Sequence, residues 1–191
     1  MKKNHYSFFA GLLTLAFLIF LFSGCGTASV VTNKSDRLKG PYKRIFIALR
    51  GDIRAANFTG PWIDKVAKEL QERNVVMKEY DIPEQDDNSL SLEPESANSE
   101  INAQIKEFQP DVVMTIILQK IVAYSGVQVG RPGSNGGTFD IKLFDAGDSH
   151  TPIWRAKMKV YGDYGISLAV NKGAQNFIDK LEQDNIIAPK N

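Results

Sequence analysis

The chain reads as an α/β protein: helices packed on a five-stranded, partly parallel mixed sheet, in the order β-α-β-α-β-β-β-α. Three observations predict this. Arg44 to Leu49 and Val112 to Leu118 are continuous apolar runs of strand length, which suit strands covered on both faces. Stretches with apolar residues at helical spacing separate them. Two later segments, Thr138 to Phe144 and Ile153 to Tyr161, alternate apolar and polar residues and read as a hairpin with one wet face.

In the first unit, Arg44 to Leu49 is followed by the loop 50–60 and a helix with Pro61 in its first turn, capped by Thr59 or Gly60. Trp62, Val66 and Leu70 mark its packing face, Ile63 and Ala67 lie beside them, and Asn74 stops it. Val75 to Tyr80 is the second strand. Residues 81–100 then carry Asp81, Glu84, Asp86, Asp87, Glu93, Glu95 and Glu100, two prolines and no Lys or Arg, and read as a long acidic loop. A second helix presents Ile101, Ile105 and Phe108, and Pro110 ends it. Val112 to Leu118, the most apolar run past the N-terminal segment, should lie beside the first strand as the centre of the sheet. The glycine-rich stretch 126–137 reads as a hairpin tip, because it leads into a strand and not onto a helix N-terminus, as a phosphate loop must. A last helix, from about Ile166 to Asp184, packs through Ile166, Val170, Ala174, Phe177, Ile178 and Leu181. Gly173 inside it suggests close approach to the sheet.

The N-terminus carries the clearest address. Lys2 and Lys3 precede an apolar run from Phe8 to Phe22, and Ser23 and Gly24 precede Cys25. The run is shorter than the roughly 18–20 residues a membrane-crossing helix needs, and this order is that of a secretory signal. Phe22-Ser23-Gly24-Cys25 resembles the lipobox of bacterial lipoproteins, with Phe22 where an aliphatic residue is usual. That resemblance implies cleavage before Cys25 and acylation of its sulfur. Cys25 is the one cysteine of the chain, so no internal disulfide competes for it. Two or more acyl chains give stable anchoring where one holds marginally. Gly26 stands where Asp would signal inner-membrane retention in well-studied diderm bacteria, which implies the outer membrane.

The expected organisation is a signal peptide over 1–24, a lipidated cysteine with a flexible tether over 25–40, and one domain over 41–188. Loss of Lys2 and Lys3 with the signal lowers Lys+Arg from 23 to 21 against 22 Asp+Glu, a formal charge of −1. That balance gives no support to a nucleic-acid binder, which needs a basic face overall.

The strand order resembles the α/β domain shared by the TolB N-terminal domain, the LpoB activator and the CsgG-type envelope lipoproteins. The segment GGTFDIKLFDAGDSHTPIWRAKMKVY, with Asp145 before a turn and Trp154 after it, is similar to a hairpin recurrent in small outer-membrane lipoproteins. The resemblance covers about 42–188 and implies a binding or assembly module with an envelope protein partner, not an enzyme.

Among candidate sites, Arg50, Asp52 and Arg54 follow the first strand, at the strand ends where α/β sheets bind ligands. They could bind a small anionic ligand or an envelope polymer, or belong to a solvated connection. Arg155, Lys157 and Lys159 share one strand face, with Lys142 across from them, and Arg131 sits in the glycine-rich stretch. These read as a partner surface or as a solvated face. The acidic loop lacks the spacing of a calcium loop. Asp148, Ser149 and His150 fall in one turn, which is not the geometry of a triad. No nucleophile or metal motif is present, so the reading is no enzyme, no cofactor and no metal.

Overall fold

The computed structural model describes residues 26–51, 55–82, 95–123, 134–148, 150–162 and 166–190. The described elements are β1 (Gly26–Lys34), β2 (Arg44–Arg50), α1 (Ala56–Gln71), β3 (Val76–Asp81), α2 (Glu95–Phe108), β4 (Val112–Ala123), β5 (Ser134–Asp145), β6 (Trp154–Gly162) and α3 (Ile166–Gln183). All six strands form one sheet in the order β1-β6-β5-β4-β2-β3. β2 runs parallel to β3 and to β4, while β4, β5, β6 and β1 pair antiparallel in succession. The mixed α/β class holds, with one strand more than the sequence suggested.

The extra strand is β1, and it corrects the expectation of a flexible tether over 26–40. Gly26 to Lys34 pairs residue for residue with β6, from Gly26 opposite Gly162 to Lys34 opposite Trp154. Ala28 and Val30 pack on the core while Ser29, Val31 and Asn33 are exposed. This period-2 pattern holds too few large apolar residues to declare itself; the free edge of β6 supplies its partner. Side chains from α3 add to the grip. Asn176 donates to the Ala28 carbonyl at 2.8 Å, and Thr32 hydrogen-bonds the buried carboxylate of Asp184, which also accepts from the Trp154 indole at 2.8 Å.

The first helix also starts earlier than expected. Pro61 lies inside α1, and neither Thr59 nor Gly60 caps it; the Thr59 hydroxyl donates to the Ala55 carbonyl at 3.3 Å. Phe58 explains the added turn. It is fully buried, its ring 5.9 Å from that of Phe139, and that burial offsets the hydrogen bond lost at proline. Likewise α2 begins at Glu95, inside the expected acidic loop. Residues 83–94 of that loop lie outside the described residues. The last four positions of the glycine-rich stretch, 134–137, belong to β5 and not to a hairpin tip.

The expected helix stop at Asn74 is present, and Asn185 ends α3 in the same way. Asn74 and Asn185 adopt φ of 59° and 62°. Val75 N–H donates to Leu70 O and Asn74 N–H to Gln71 O, and Ile186 to Leu181 with Asn185 to Glu182 repeats the pattern at the end of α3. Both ends are Schellman motifs with asparagine in the left-handed position. The second folds Ile186 and Ile187 back into the core, where both are fully buried.

Two cores result. The larger lies between one sheet face and the pair α1 and α3, and it holds Ile45, Ile47, Met114, Ile141, Met158, Trp62 and Phe177. The smaller lies on the opposite face, where α2 lays Ile101, Ile105 and Phe108 over Phe46, Ala48 and Tyr80. Arg73, just past the end of α1 and 6% exposed, is held by Glu69 of the same helix at 2.9 Å and reaches Glu182 of α3 at 2.5 Å. Gly173 is where α3 presses hardest: a Cβ there would stand 3.0 Å from both Val160 methyls and 3.4 Å from Trp62. Gly173→Leu is therefore expected to cost about 1–3 kcal/mol of stability by overpacking, read as a lower midpoint in urea unfolding.

Candidate docking face

α2 covers only the β2–β3 side of its sheet face. Among the described residues, no helix packs on the same face of β1, β6 and β5. Strand register determines what stands there. One cross-strand row runs Asn33, Arg155, Lys142, Thr115; the next runs Val31, Lys157, Asp140, Ile117. A third runs Ser29, Lys159, Thr138, Lys120. Alternation puts Trp154, Ala156, Met158 and Val160 in the core and leaves Arg155, Lys157 and Lys159 exposed, as the sequence suggested.

Lys120 reaches this face through a bulge. Leu118 pairs with Phe139 on the core side, yet Lys120 pairs with Thr138 on the open side, because the register shifts between them. One extra residue reverses the alternation and re-aims the side chain. Sequence reading missed Lys120 because a bulge is visible only when the partner strand is known.

Arg50 also joins the face. Its register partner is Ile117, so it extends the row of Lys157 and Asp140. It and the lysine stripe, expected as separate sites, lie on the same side of one sheet, roughly three strand spacings or ~14 Å apart. Arg50 is half-buried at the end of β2. Asp52, Arg54, Arg131 and Cys25 lie outside the described residues.

The electrostatics of the face are one-sided. Arg155 and Lys142 are direct cross-strand neighbours, an arrangement that disfavours the isolated sheet. Among the described residues on this side of β1, β6, β5 and β4, Asp140 is the one carboxylate, and it meets Lys142 at 3.6 Å. The two partners are 39% and 33% exposed, so that pair neutralises little. Val31 sits among these cations at 72% exposure, an apolar side chain beside Lys157.

The Asp148–His150 turn serves structure. Arg37 donates to Asp148 at 2.9 Å and to the Thr151 carbonyl, while the other Asp148 oxygen accepts from the His150 backbone. The Arg37 hydrogen bond, then the backbone one, hold the Asp148 carboxyl below the usual carboxylate range. The carboxylate is spent on closing the turn against the segment after β1. Among the described residues, no group of three or more His, Cys, Asp or Glu is placed to hold a metal ion.

Comparison with known proteins bears on the fold. No protein-family model matches the chain. No curated protein matches it either. Solved structures do. The PelC dodecamer from Paraburkholderia phytofirmans superposes with a TM-score of 0.51 at 13% identity, over 84% of this chain and 99% of the PelC chain. A point variant of that PelC gives 0.51 at 12% identity, over 85% and 100%. This chain shares the PelC fold. Lipoprotein GNA1162 from Neisseria meningitidis matches at a TM-score of 0.40 and 14% identity, over 73% and 98%, too loosely to add to that conclusion.

Proposed function

We propose that this chain is a lipid-anchored lipoprotein of the cell envelope, held at the outer membrane on its periplasmic side, that works by binding and assembly without catalysis. The observation that carries this reading is the uncovered basic face of β1, β6 and β5. Juxtaposed Arg155 and Lys142 are a local cost that an acidic partner would turn into attraction. The Ser-Gly-Cys ending of the N-terminal segment supports the anchor, and no helix among the described residues is long and apolar enough to cross a membrane.

Cross-linking in intact cells tests the reading. The native chain should trap one defined envelope protein, and Lys157→Glu with Lys159→Glu should abolish the adduct while leaving the amount of protein unchanged. Adduct formation indifferent to the double reversal would reject the face. PelC is a dodecamer, so an adduct of this chain with itself is one outcome to score. A second reading, a small anionic ligand, gains from Arg50 lying on the same face as Lys157 and is tested by thermal shift, since a ligand that binds only the native state raises its stability.

A further inference from the structure

The start of β1 bears on how the domain meets the membrane. If residues 26–40 were a free tether, they could hold the domain up to roughly 50 Å from the lipid. Gly26 is instead the first residue of β1, already opposite Gly162 of β6. Cys25 is one peptide unit away, and consecutive Cα atoms are about 3.8 Å apart. Peeling β1 off to gain length would expose Ala28 and Val30 and break the bonds to Asn176 and Asp184.

Resting on the reading that Cys25 is lipidated, we infer that the domain is mounted directly on the bilayer, with one pole against the lipid headgroups. That pole comprises the start of β1, the end of β6, the paired ends of β4 and β5 at Val122 and Gly136, and the N-terminus of α3. β1 then rises away from the lipid for about 27 Å, at ~3.4 Å per residue. The docking face stands upright beside it. Its Ser29 row lies about 10 Å and its Asn33 row about 24 Å along the strand from Gly26. A partner would reach the face from the side, within the layer next to the membrane.

α3 allows a test along one rigid element. Ser167 and Gln183 are both exposed and lie near its two ends, about 24 Å apart at ~1.5 Å per residue. Ser167→Cys and Gln183→Cys are made separately in the full chain. The lipidated protein is purified from membranes, labelled with a maleimide fluorophore and inserted into preformed phosphatidylcholine vesicles carrying headgroup nitroxide. The sulfur of Cys25, as a thioether, does not react with the label. Quenching several-fold stronger at 167 than at 183 is expected, and ten Gly/Ser residues inserted between Cys25 and Gly26 should erase the difference. Equal quenching at both ends in acylated protein, or a difference that survives the insertion, overturns direct mounting while leaving lipidation intact. A mass spectrum showing Cys25 without acyl groups overturns both.

Discussion

Trp62→Ala is expected to remove about 3–5 kcal/mol of stability, the range for truncating a large buried aromatic. Typical domains have 5–15 kcal/mol in total, so this is a large share of the fold's stability. Trp62 is fully buried and stacks on Phe139 at 5.3 Å, with Phe177 at 5.5 Å. It is where α1, α3 and β5 meet, so no one element can relax into the space left behind. Urea unfolding followed by circular dichroism should show the midpoint falling sharply at unchanged slope. Trp62→Phe should cost clearly less, since it keeps aromatic contact with both rings. It also removes an indole N–H that is buried with no hydrogen-bond partner among the described residues. A Phe variant as unstable as the Ala variant would show that the fit of the indole, and not aromatic burial, is what matters.

The second large effect is at Asp184, 7% exposed at the end of α3. Burial works to raise its pKa, but hydrogen bonds from Trp154 and Thr32, with the charges of Lys180 and Lys34, outweigh burial and hold the carboxyl below its usual range. A carboxyl whose pKa is lower folded than unfolded stabilises the fold fully above its unfolded value, near ~3.9, and loses that contribution as pH falls through the folded value. Asp184→Asn should therefore cost about 2 kcal/mol at neutral pH, as expected for hydrogen bonds to a charged group. The gap between variant and native protein should close as pH is lowered through the acid range. A gap that stays constant with pH would mean that the carboxylate's shape, and not its charge, holds β1 and β6 to α3.

Much of the fold is legible in the residues. Ile45 to Leu49 and Val112 to Leu118 announce central strands because both of their faces are apolar, and the structure pairs them in parallel. Asn74 and Asn185 announce helix ends because asparagine tolerates the left-handed conformation. Alternation from Trp154 to Val160 announces one buried and one open face. What stays hidden depends on a partner. β1 is a small, polar, edge segment whose strand character comes from β6, Asn176 and Asp184. The α1 start is hidden because Pro61 is a strong local signal, and only the contact of Phe58 with Phe139 outweighs it.

The site divides in the same way. The stripe of Arg155, Lys157 and Lys159 follows from period 2 within a single strand. Arg50 and Lys120 belong to the same surface through the pairing of Arg50 with Ile117 and the bulge after Leu118, facts about strands distant in sequence.

By itself the sequence determined the α/β class, the central strands, the helix stops and a Ser-Gly-Cys ending suited to a lipid, because each rests on local periodicity, backbone preference or covalent chemistry. The tertiary structure decided that the supposed tether is a sheet strand. It also decided that cations from β4, β5 and β6 share one uncovered face, with Arg50 of β2 on the same side of the sheet. Register and edge pairing are set by contacts between distant segments, and no short stretch of chain contains them.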